Sequence, residues 1–444
     1  MRRLAALIVA LAAPAQASVY DSYGANPRGM SMGQALISAV TDYTATWYNP
    51  AALTMLGQMS FGLGFQASFP FVDVERGRAV CTGSDCGAGT SPFDSVLPEP
   101  FSGFTLGVLT PFGGIFENRV AFGISAYLPA NNLIRAEGLD PQRPQFYALQ
   151  SLPDKFNVLG GLAYRPVDWF SFGIGFQVLA NLDGAVDLKL DVLNHAFERA
   201  DIVVRVKPKA NLTAGLLFEP VPGLRLGAVW RGELDLSYDL PVQADIGAAI
   251  QLKIGVSETV LFQPHQVGFG VSYALDEPRL LLSADLVWSL WSRAPDPSPH
   301  VSLDVAGTLV EGLGIGSTLD VNTAGRTIDM GFVDTLSPRF GVEYTPVYWF
   351  TVRGGYFFRP TPAPRQTGAT NYLDNDSHGG SLGFAFTFED PLEVHRTPIV
   401  LELGNQLTAL SRRTVRKADR DDPVGDLSHG GLVYSVGVSV SHNY

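Results

Sequence analysis

The stretch Leu224–Leu240, LRLGAVWRGELDLSYDL, decides the fold class, because apolar side chains alternate with small or charged ones along it. Successive residues of a β-strand point to opposite faces, so this strand has one apolar face and one polar face. The apolar face carries Leu224, Leu226, Ala228, Trp230, Leu234, Leu236, Tyr238 and Leu240, and the polar face carries Arg225, Arg231, Glu233, Asp235 and Asp239. Five charges in a dry core would cost more free energy than folding provides. The pattern therefore predicts lipid on one side and a wet lumen on the other, as in an outer-membrane β-barrel.

The same alternation recurs along most of the chain after Gly57. In Met59–Phe69 every odd position is apolar, and the even positions hold only serine, glycine and glutamine. Bacterial single-chain barrels have an even number of antiparallel strands, and fourteen segments of this kind can be counted. The predicted strands are 59–74, 100–109, 119–129, 154–164, 169–192, 202–218, 224–240, 261–273, 279–291, 337–345, 349–359, 379–388, 398–410 and 430–444. The fold class is therefore all-β, a 14-stranded antiparallel transmembrane β-barrel.

The connections between these strands alternate in length. Those near 165–169, 219–223, 274–279 and 345–348 are short, and those at 75–99, 130–153, 241–260, 292–336 and 411–429 are long. Short periplasmic turns opposite longer outer loops are typical of such barrels, and aromatic residues form girdles at both interfaces. Trp169-Phe170 and Tyr348-Trp349-Phe350 at strand starts fit such a girdle. The pattern predicts a multi-pass protein of the bacterial outer membrane.

The segment before the first strand is different in kind. Residues 1–17 read as a signal peptide, with Arg2-Arg3, an apolar run and the small-residue site Ala15-Gln16-Ala17. Residues 18–57 are rich in small residues and lack the two-residue alternation. We interpret them as an N-terminal helical hatch inside the lumen of a barrel formed by residues 58–444.

Composition and motifs exclude several functional classes. The net charge is −12 without a basic patch, which argues against nucleic-acid binding. The seven histidines are scattered and no nucleotide or hydrolase motif is present, so the sequence predicts no cofactor, no metal and no enzyme. The enzyme class that stays open is a membrane-embedded hydrolase with a serine and a histidine on adjacent strands. In an exported protein, Cys81 and Cys86 are expected to form a disulfide in a polar loop.

An ordered set of short motifs resembles the FadL family of outer-membrane transporters for long-chain fatty acids and related hydrocarbons. The matching segments are Arg28–Gly33, Trp47–Leu53, Pro264–Gly268, Ser272-Tyr273, Asp285–Ser292, Phe340–Tyr344, Val352–Phe357 and Pro360–Pro364. The resemblance implies a monomeric barrel that takes up hydrophobic molecules, most of all long-chain fatty acids, without an energy source. Substrate would bind in the lumen, the hatch would move, and a kink in the third strand would release substrate sideways into the bilayer.

The resemblance also assigns candidate residues. Asn49, Pro50 and Ala51 belong to the hatch, and Tyr127, Leu128, Pro129, Ala130 and Asn131 form the lateral-gate kink at the end of the third strand. Proline removes a ladder donor and suits a kink, although Pro129 also fits a plain strand end. The Asn-Tyr-Gly that is frequent in the family is missing at this point, so the position of the kink is open.

Lumen-facing charges are the second set of candidates: Arg225, Arg231, Glu233, Asp285, Glu343, Arg353 and Glu402. An arginine among them could bind a substrate carboxylate, and the alternative is an ion-pair network between hatch and wall. Under the first reading, Arg353→Ala weakens uptake and leaves folding intact.

Two alternatives to fatty-acid uptake stay open. One is a general diffusion porin, and the other is uptake of aromatic or alkane hydrocarbons by the same route. The expected partners are a hydrophobic small molecule, outer-membrane lipid and lipopolysaccharide. Basic residues of the last outer loop could contact lipopolysaccharide phosphates, or the loop could simply be solvated: Arg412, Arg413, Arg416, Lys417 and Arg420.

Overall fold

The structure is a computed structural model that describes most of the chain. The described residues are 19–76, 95–131, 143–146, 149, 155–191, 196–246, 250–295, 300–306, 321–323, 330–368, 370–389, 397–420 and 422–444. The predicted signal peptide and the predicted disulfide between Cys81 and Cys86 lie outside these residues.

Strands make up most of the described chain. They are β1 Ser60–Arg76, β2 Phe101–Pro111, β3 Val120–Pro129, β4 Gln145–Phe146, β5 Asn157–Val167, β6 Phe170–Asp191, β7 Ala196–Val221, β8 Leu224–Arg231, β9 Leu234–Ile246, β10 Ile250–Gln263, β11 Gln266–Leu275, β12 Leu280–Ser289, β13 His300–Ala306, β14 Val321–Thr323, β15 Thr335–Val347, β16 Phe350–Arg359, β17 Tyr372–Leu373, β18 Ser377–Phe388, β19 Ile399–Val415 and β20 Leu427–Asn443.

Fourteen of these strands form a closed antiparallel ring, in the order β1, β2, β3, β5, β6, β7, β8, β11, β12, β15, β16, β18, β19 and β20. The ring closes where β20 pairs with β1 along its whole length, from Ser60 opposite Asn443 to Arg76 opposite Leu427. The predicted 14-stranded antiparallel barrel is thereby confirmed, and each predicted segment overlaps one strand of the ring.

One predicted strand, 224–240, is wrong in its second half. β8 ends at Arg231, and β11 pairs with it directly, whereas β9 and β10 form a hairpin beyond the ring. Leu234 and Leu236 do not face lipid, since they are buried against Leu179 and Leu261. The predicted segment 261–273 is divided in the same way, with its first residues in β10. Alternation continues across Gly232 because β9 is itself a strand, but its apolar face is covered by protein.

The hairpin belongs to an extension of the sheet outside the ring. β9 pairs in parallel with the end of β6, β10 pairs with β13, and β13 pairs with the short β14. The long β6 and β7 carry this extension from the ring.

The ring has the face pattern that the alternation predicted. Phe61, Leu63, Phe122 and Ile124 point outward and are 40–49% exposed, as expected for side chains in lipid. Their neighbours of opposite parity are small or polar and buried. Trp169, Tyr348 and Trp349 are 47–78% exposed at the end of the ring that carries the short turns. By the rule for bacterial barrels this end faces the periplasm.

The N-terminal segment fills the lumen with short helices. They are α1 Val19–Tyr23, α2 Pro27–Ser31, α3 Ala45–Tyr48 and the 3₁₀ helix η1 Pro50–Met55, and further 3₁₀ turns occur at Gly114–Phe116 (η2) and Trp291–Arg293 (η3). Asn26 caps α2 through its side chain, and proline occupies the first turn of both α2 and η1. Met30, Leu36 and Val40 are completely buried. A helical hatch inside the barrel was therefore correctly predicted.

No helix among the described residues is both long and apolar enough to span a membrane.

Candidate functional site

The hatch is organised around Asn49. Its Nδ2 donates to the carbonyl oxygens of Ile37 and Leu216, both at 3.0 Å, and its Oδ1 accepts from the amide of Ala51 at 3.1 Å. One side chain therefore caps η1, holds a second hatch segment and fastens both to the wall. Ser171 of β6 adds a bond to the Ala51 carbonyl at 2.9 Å. The candidate residues Asn49, Pro50 and Ala51 thus lie at a contact between hatch and barrel.

A ring of glycines makes room for the hatch, and we call it the glycine girdle. Thirteen of the fourteen ring strands contribute at least one glycine where an added Cβ would lie 3.2 Å or less from a hatch atom, and β11 contributes a second, Gly268. The girdle consists of Gly62, Gly107, Gly123, Gly161, Gly173, Gly215, Gly227, Gly270, Gly341, Gly355, Gly383, Gly404 and Gly437. On β12, Asp285 meets the hatch instead and accepts from the amide of Ile37 at 2.8 Å. The hatch is therefore enclosed by backbone at one level around nearly the whole circumference.

Arg231 binds the end of α3. Its Nε and Nη2 donate to the carbonyl oxygen of Trp47 at 3.0 and 2.8 Å, and Nη2 also reaches that of Tyr48 at 3.2 Å. The guanidinium carbon lies 4.4 Å from the centre of the Trp47 ring, a cation–π geometry. A cation at helix-terminal carbonyls satisfies groups that have no partner within the helix. The Nε and Nη2 donors of Arg231 are thus occupied by hydrogen bonds to the hatch.

Four charges link the hatch to β15, β16 and β19. Glu343 accepts from Arg28 of the hatch at 2.9 Å and from Arg353 at 2.6 Å. Arg353 also binds Glu402 at 2.7 Å, and Ser439 donates to the second oxygen of Glu402 at 3.1 Å. Both signs occur in one connected set, so the geometry favours a structural network over a carboxylate-binding site for these residues.

Two arginines that the sequence reading missed fasten α1. Arg339 forms an ion pair with Asp21 at 2.9 Å, and Arg359 donates to the Asp21 carbonyl oxygen. Arg339 shares the parity of Glu343 on β15, so alternation along that strand could have found it. Arg359 is the last residue of β16, where periodicity gives a weak signal.

Arg225 and Glu233 do not lie beside the hatch. Arg225 pairs with Glu219 at 3.3 Å next to the periplasmic turn between β7 and β8. Glu233 lies at the break between β8 and β9, where Arg293 binds it at 2.9 Å and His265 is 3.4 Å away. The hydrogen bond from Arg293 lowers the pKa of Glu233. Five of the seven predicted charges therefore lie where the barrel wall meets the hatch: Arg231, Asp285, Glu343, Arg353 and Glu402. Arg225 and Glu233 do not.

At the end of β3, the two edges of the strand are paired over different lengths. β3 pairs with β2 without a register shift as far as Pro129, so its ladder contains no bulge. Its pairing with β5 ends at Tyr127, opposite Asn157. The Asn157 side chain is fully buried, and neither its Nδ2 nor its Oδ1 has a hydrogen-bond partner. We call this end of the β3–β5 ladder the seam.

The remaining gate candidates follow the seam in order. Leu128 is half-buried, Pro129 is buried, and Ala130 and Asn131 are exposed. The amide of Ala130 donates to the Ser102 carbonyl at 2.8 Å, and Asn131 donates to that of Pro100 at 3.3 Å. The chain therefore stays attached to β2 after it has left β5.

A narrow cavity lies between α1 and the outer loops. Its lining contains both apolar and polar residues: Ser22, Phe101, Phe146, Leu149, Arg359, Pro360, Asp374, Asn375, Ser377, Thr408, Leu410 and Val433. Burial raises the pKa of Asp374, in the loop after β16, to about 6. β4 and β17 pair beside the cavity. Their residues Phe146 and Leu373 belong to a buried apolar cluster that also contains Leu149, Leu410 and Val433.

Aromatic rings connect the cavity with the seam. Phe101, which lines the cavity, stacks on Tyr23 of α1 at 5.7 Å between ring centres. Tyr23 lies 6.3 Å from Tyr127, which in turn lies 6.1 Å from Tyr20 of α1. The Tyr127 ring covers Gly103, where an added Cβ would come within 2.4 Å of it. Side chains of α1 therefore fill the space between cavity and seam.

Three basic residues of the predicted last outer loop bind the protein itself, and two of them, Arg412 and Arg413, lie in β19 because that strand continues to Val415. Arg412 pairs with Asp73 and Glu75, Arg413 donates to loop carbonyls, and Lys417 donates to the carbonyls of Gly368 and Thr370. Contact of this loop with lipopolysaccharide stays a prediction.

Comparisons with known proteins agree with this architecture. The chain is 24% identical to alkane uptake protein A of Marinobacter nauticus, across 99% of this chain and 94% of that protein. Its fold is similar to a FadL homologue of Pseudomonas aeruginosa (TM-score 0.58, 14% identity, 98% of this chain and 99% of that one). It is also similar to the toluene transporter TodX of Pseudomonas putida (TM-score 0.55, 16% identity, 97% and 100%). The family model for the outer membrane protein transport proteins (OMPP1/FadL/TodX) matches residues 6–396, and the chain belongs to that family.

Proposed function

We propose that the protein takes up uncharged hydrocarbons across the outer membrane, by binding above the hatch, where displacement of α1 enlarges the narrow cavity, and by lateral release at the seam. The observation that carries the proposal is a row of aromatic side chains: Phe101 of the cavity lining stacks on Tyr23, and Tyr23 lies beside Tyr127, where the β3–β5 ladder of the described residues ends. An apolar chain gains about 0.8 kcal/mol per CH₂ when it leaves water for such surroundings. A water-filled pore, as in a diffusion porin, would offer none of this gain.

The engagement of the lumen arginines supports a neutral substrate. Arg28, Arg231, Arg339 and Arg353 bind carboxylates or carbonyls of the protein itself. A substrate carboxylate would have to displace one of these partners. The relative from Marinobacter nauticus is named for alkane uptake, which agrees with this reading. Long-chain fatty acids are the second candidate, because the guanidinium of Arg359 lies in the cavity wall.

Labelled hexadecane and palmitate, given to cells that lack their own transporter and express this chain, test the proposal. We expect hexadecane uptake above the background of the empty strain, and an unchanged ratio of palmitate to hexadecane uptake in Arg359→Gln, because loss of the bond to the Asp21 carbonyl affects both substrates alike. If Arg359 bound the carboxylate, this ratio would fall about tenfold or more in the variant, since charge-assisted hydrogen bonds contribute about 1.5–3 kcal/mol. Arg279→Gln, in an exposed turn, is the matched control. Uptake of palmitate but not hexadecane by the unaltered chain would overturn the proposal.

The lateral route rests on the end of the β3–β5 ladder at Tyr127 and Asn157. A buried polar group without a partner costs about 1–3 kcal/mol, so the side chain of Asn157 favours a state in which the seam is open. The rings of Tyr23 and Tyr127 oppose that state by packing. We infer that displacement of α1 frees Tyr127 and joins the cavity to the bilayer.

Removal of the Tyr127 ring should therefore change transport. We expect Tyr127→Ala to accelerate hexadecane entry, because one of the aromatic rings that fill the space between cavity and seam is gone. Tyr164→Ala is the control, since that ring faces outward on the neighbouring β5. Initial uptake rates at equal amounts of folded protein in the membrane provide the measurement. Equal rates for both variants would remove Tyr127 from the route.

A further inference from the structure

We propose that residues 112–119, which connect β2 to β3 and are called here the anchor turn, insert into the periplasmic leaflet of the outer membrane. Three apolar side chains project from this turn: Phe112, Ile115 and Phe116 are 45%, 90% and 47% exposed. Ile115 has the highest exposure among the large apolar side chains that the structure describes. Insertion of this turn into lipid does not depend on which substrate the protein transports.

The anchor turn is longer than its neighbours and has a defined shape. It spans eight residues, whereas the turns 168–169 and 222–223 have two each. Gly114 and Asn118 adopt positive φ angles of 68° and 56° around the 3₁₀ turn η2. The amide of Phe112 donates to the Val120 carbonyl at 2.9 Å and closes its base. The apolar side chains are thus held on a folded turn.

The adjacent turn fixes the level of the anchor turn along the barrel. The amide of Arg165 donates to the Arg119 carbonyl at 2.7 Å, and the Arg119 guanidinium pairs with Asp168 at 3.1 Å. Trp169, the next residue, is 53% exposed on the outer surface. Tryptophan rings of barrels sit at the headgroup level, so the base of the anchor turn lies at that level as well.

The occupant of this apolar surface is lipid because the surface continues the lipid-facing side of the barrel. On β2 the outward side chains have even numbers, and Phe104 and Leu106 are 47% and 37% exposed. Phe112 continues that parity below the end of the strand. On β3 the outward Phe122, the third residue after the turn, is 40% exposed. Apolar side chains at a membrane boundary are driven from water into the acyl region.

A nitroxide at position 115 tests the proposal. The full chain carrying Cys81→Ser, Cys86→Ser and Ile115→Cys is labelled, placed in phospholipid vesicles and measured with oxygen and with a water-soluble nickel complex as relaxation agents. Glu117→Cys, an exposed position in the same turn, is the matched control. We expect a clearly higher oxygen-to-nickel collision ratio at position 115 than at 117. Ile115 has little contact with the rest of the protein, so the variant should fold.

Two results would overturn the proposal. One is an equally low oxygen-to-nickel collision ratio at both positions in vesicles, which would place the anchor turn in water. The other is shielding of position 115 in intact outer membranes but not in pure lipid vesicles, which would point to a protein partner. Neither readout depends on transport, so failure here and failure of the hydrocarbon proposal are distinguishable.

Discussion

Gly355→Val is expected to prevent normal assembly of the hatch and barrel. An added Cβ at this girdle position would lie 2.1 Å from the amide nitrogen of Gly33 and 2.4 Å from the carbonyl carbon of Met32. Both are backbone atoms, so no side-chain rotation relieves the clash. Overpacking in a well-packed interior costs about 1–3 kcal/mol, and a clash with backbone should reach or exceed the upper end. We expect a large loss of the heat-modifiable folded form on electrophoresis.

The neighbouring residue provides a matched control for this prediction. Gly354 lies on the outward face of β16, where an added Cβ would meet Val342 at an ordinary 3.6 Å. Valine suits an outward strand position, so Gly354→Val should fold like the unaltered chain. If the ring forms with the hatch displaced, Gly355→Val should conduct ions in planar bilayers and Gly354→Val should not. Normal folding and a closed lumen in Gly355→Val would show that the girdle does not confine the hatch.

Alternation predicted the ring well because lipid imposes one simple condition on all its strands. Side chains of one parity are apolar at most positions of the ring strands, whatever the lumen contains, with few exceptions such as His378 and Asn405. The same signal failed at Gly232, since period two indicates a strand and not what covers its apolar face. Leu234 and Leu236 have the right spacing for lipid but pack against Leu179 and Leu261 beyond the ring. Tertiary contacts thus decided the second half of 224–240.

Only those residues of the candidate site that lie on barrel strands could be predicted from the sequence. Arg231 and Glu343 were identified because their positions along the strands point inward. Their partners in the hatch could not be identified, since the hatch sequence has no regular repeat of apolar residues. The hatch is built from helices of four to six residues, joined by caps such as those of Asn26 and Asn49. Its carbonyl groups become ligands for Arg231 only after it has folded inside the ring. Arg225 has inward parity too, yet it lies beside a turn, where Glu219 is nearer than the hatch.

Arg353→Ala is expected to destabilise the protein strongly, in addition to any effect on uptake. The side chains of Arg353 and Glu402 are only 7% and 8% exposed, and Arg353 separates Glu402 from Glu343. Its removal leaves Glu402 without a cation and Glu343 with Arg28 alone. Breaking a buried ion pair from one side typically costs about 3–5 kcal/mol, because the remaining charge is left desolvated. We therefore expect Arg353→Ala to impair folding, whereas a role in substrate binding alone predicts intact folding.

Unfolding in urea, followed by tryptophan fluorescence, measures the effect, and Arg225→Ala is the control. The Arg225–Glu219 pair is 23% and 21% exposed, and solvent-screened pairs contribute about 1 kcal/mol or less. Adding Glu402→Gln to Arg353→Ala should restore part of the lost stability, because it removes the unpaired charge. If Arg353 binds substrate instead, uptake should fall in Arg353→Ala while its unfolding midpoint matches that of Arg225→Ala. That combination would return Arg353 to the candidates for substrate recognition, and the charged network would no longer account for the closed hatch.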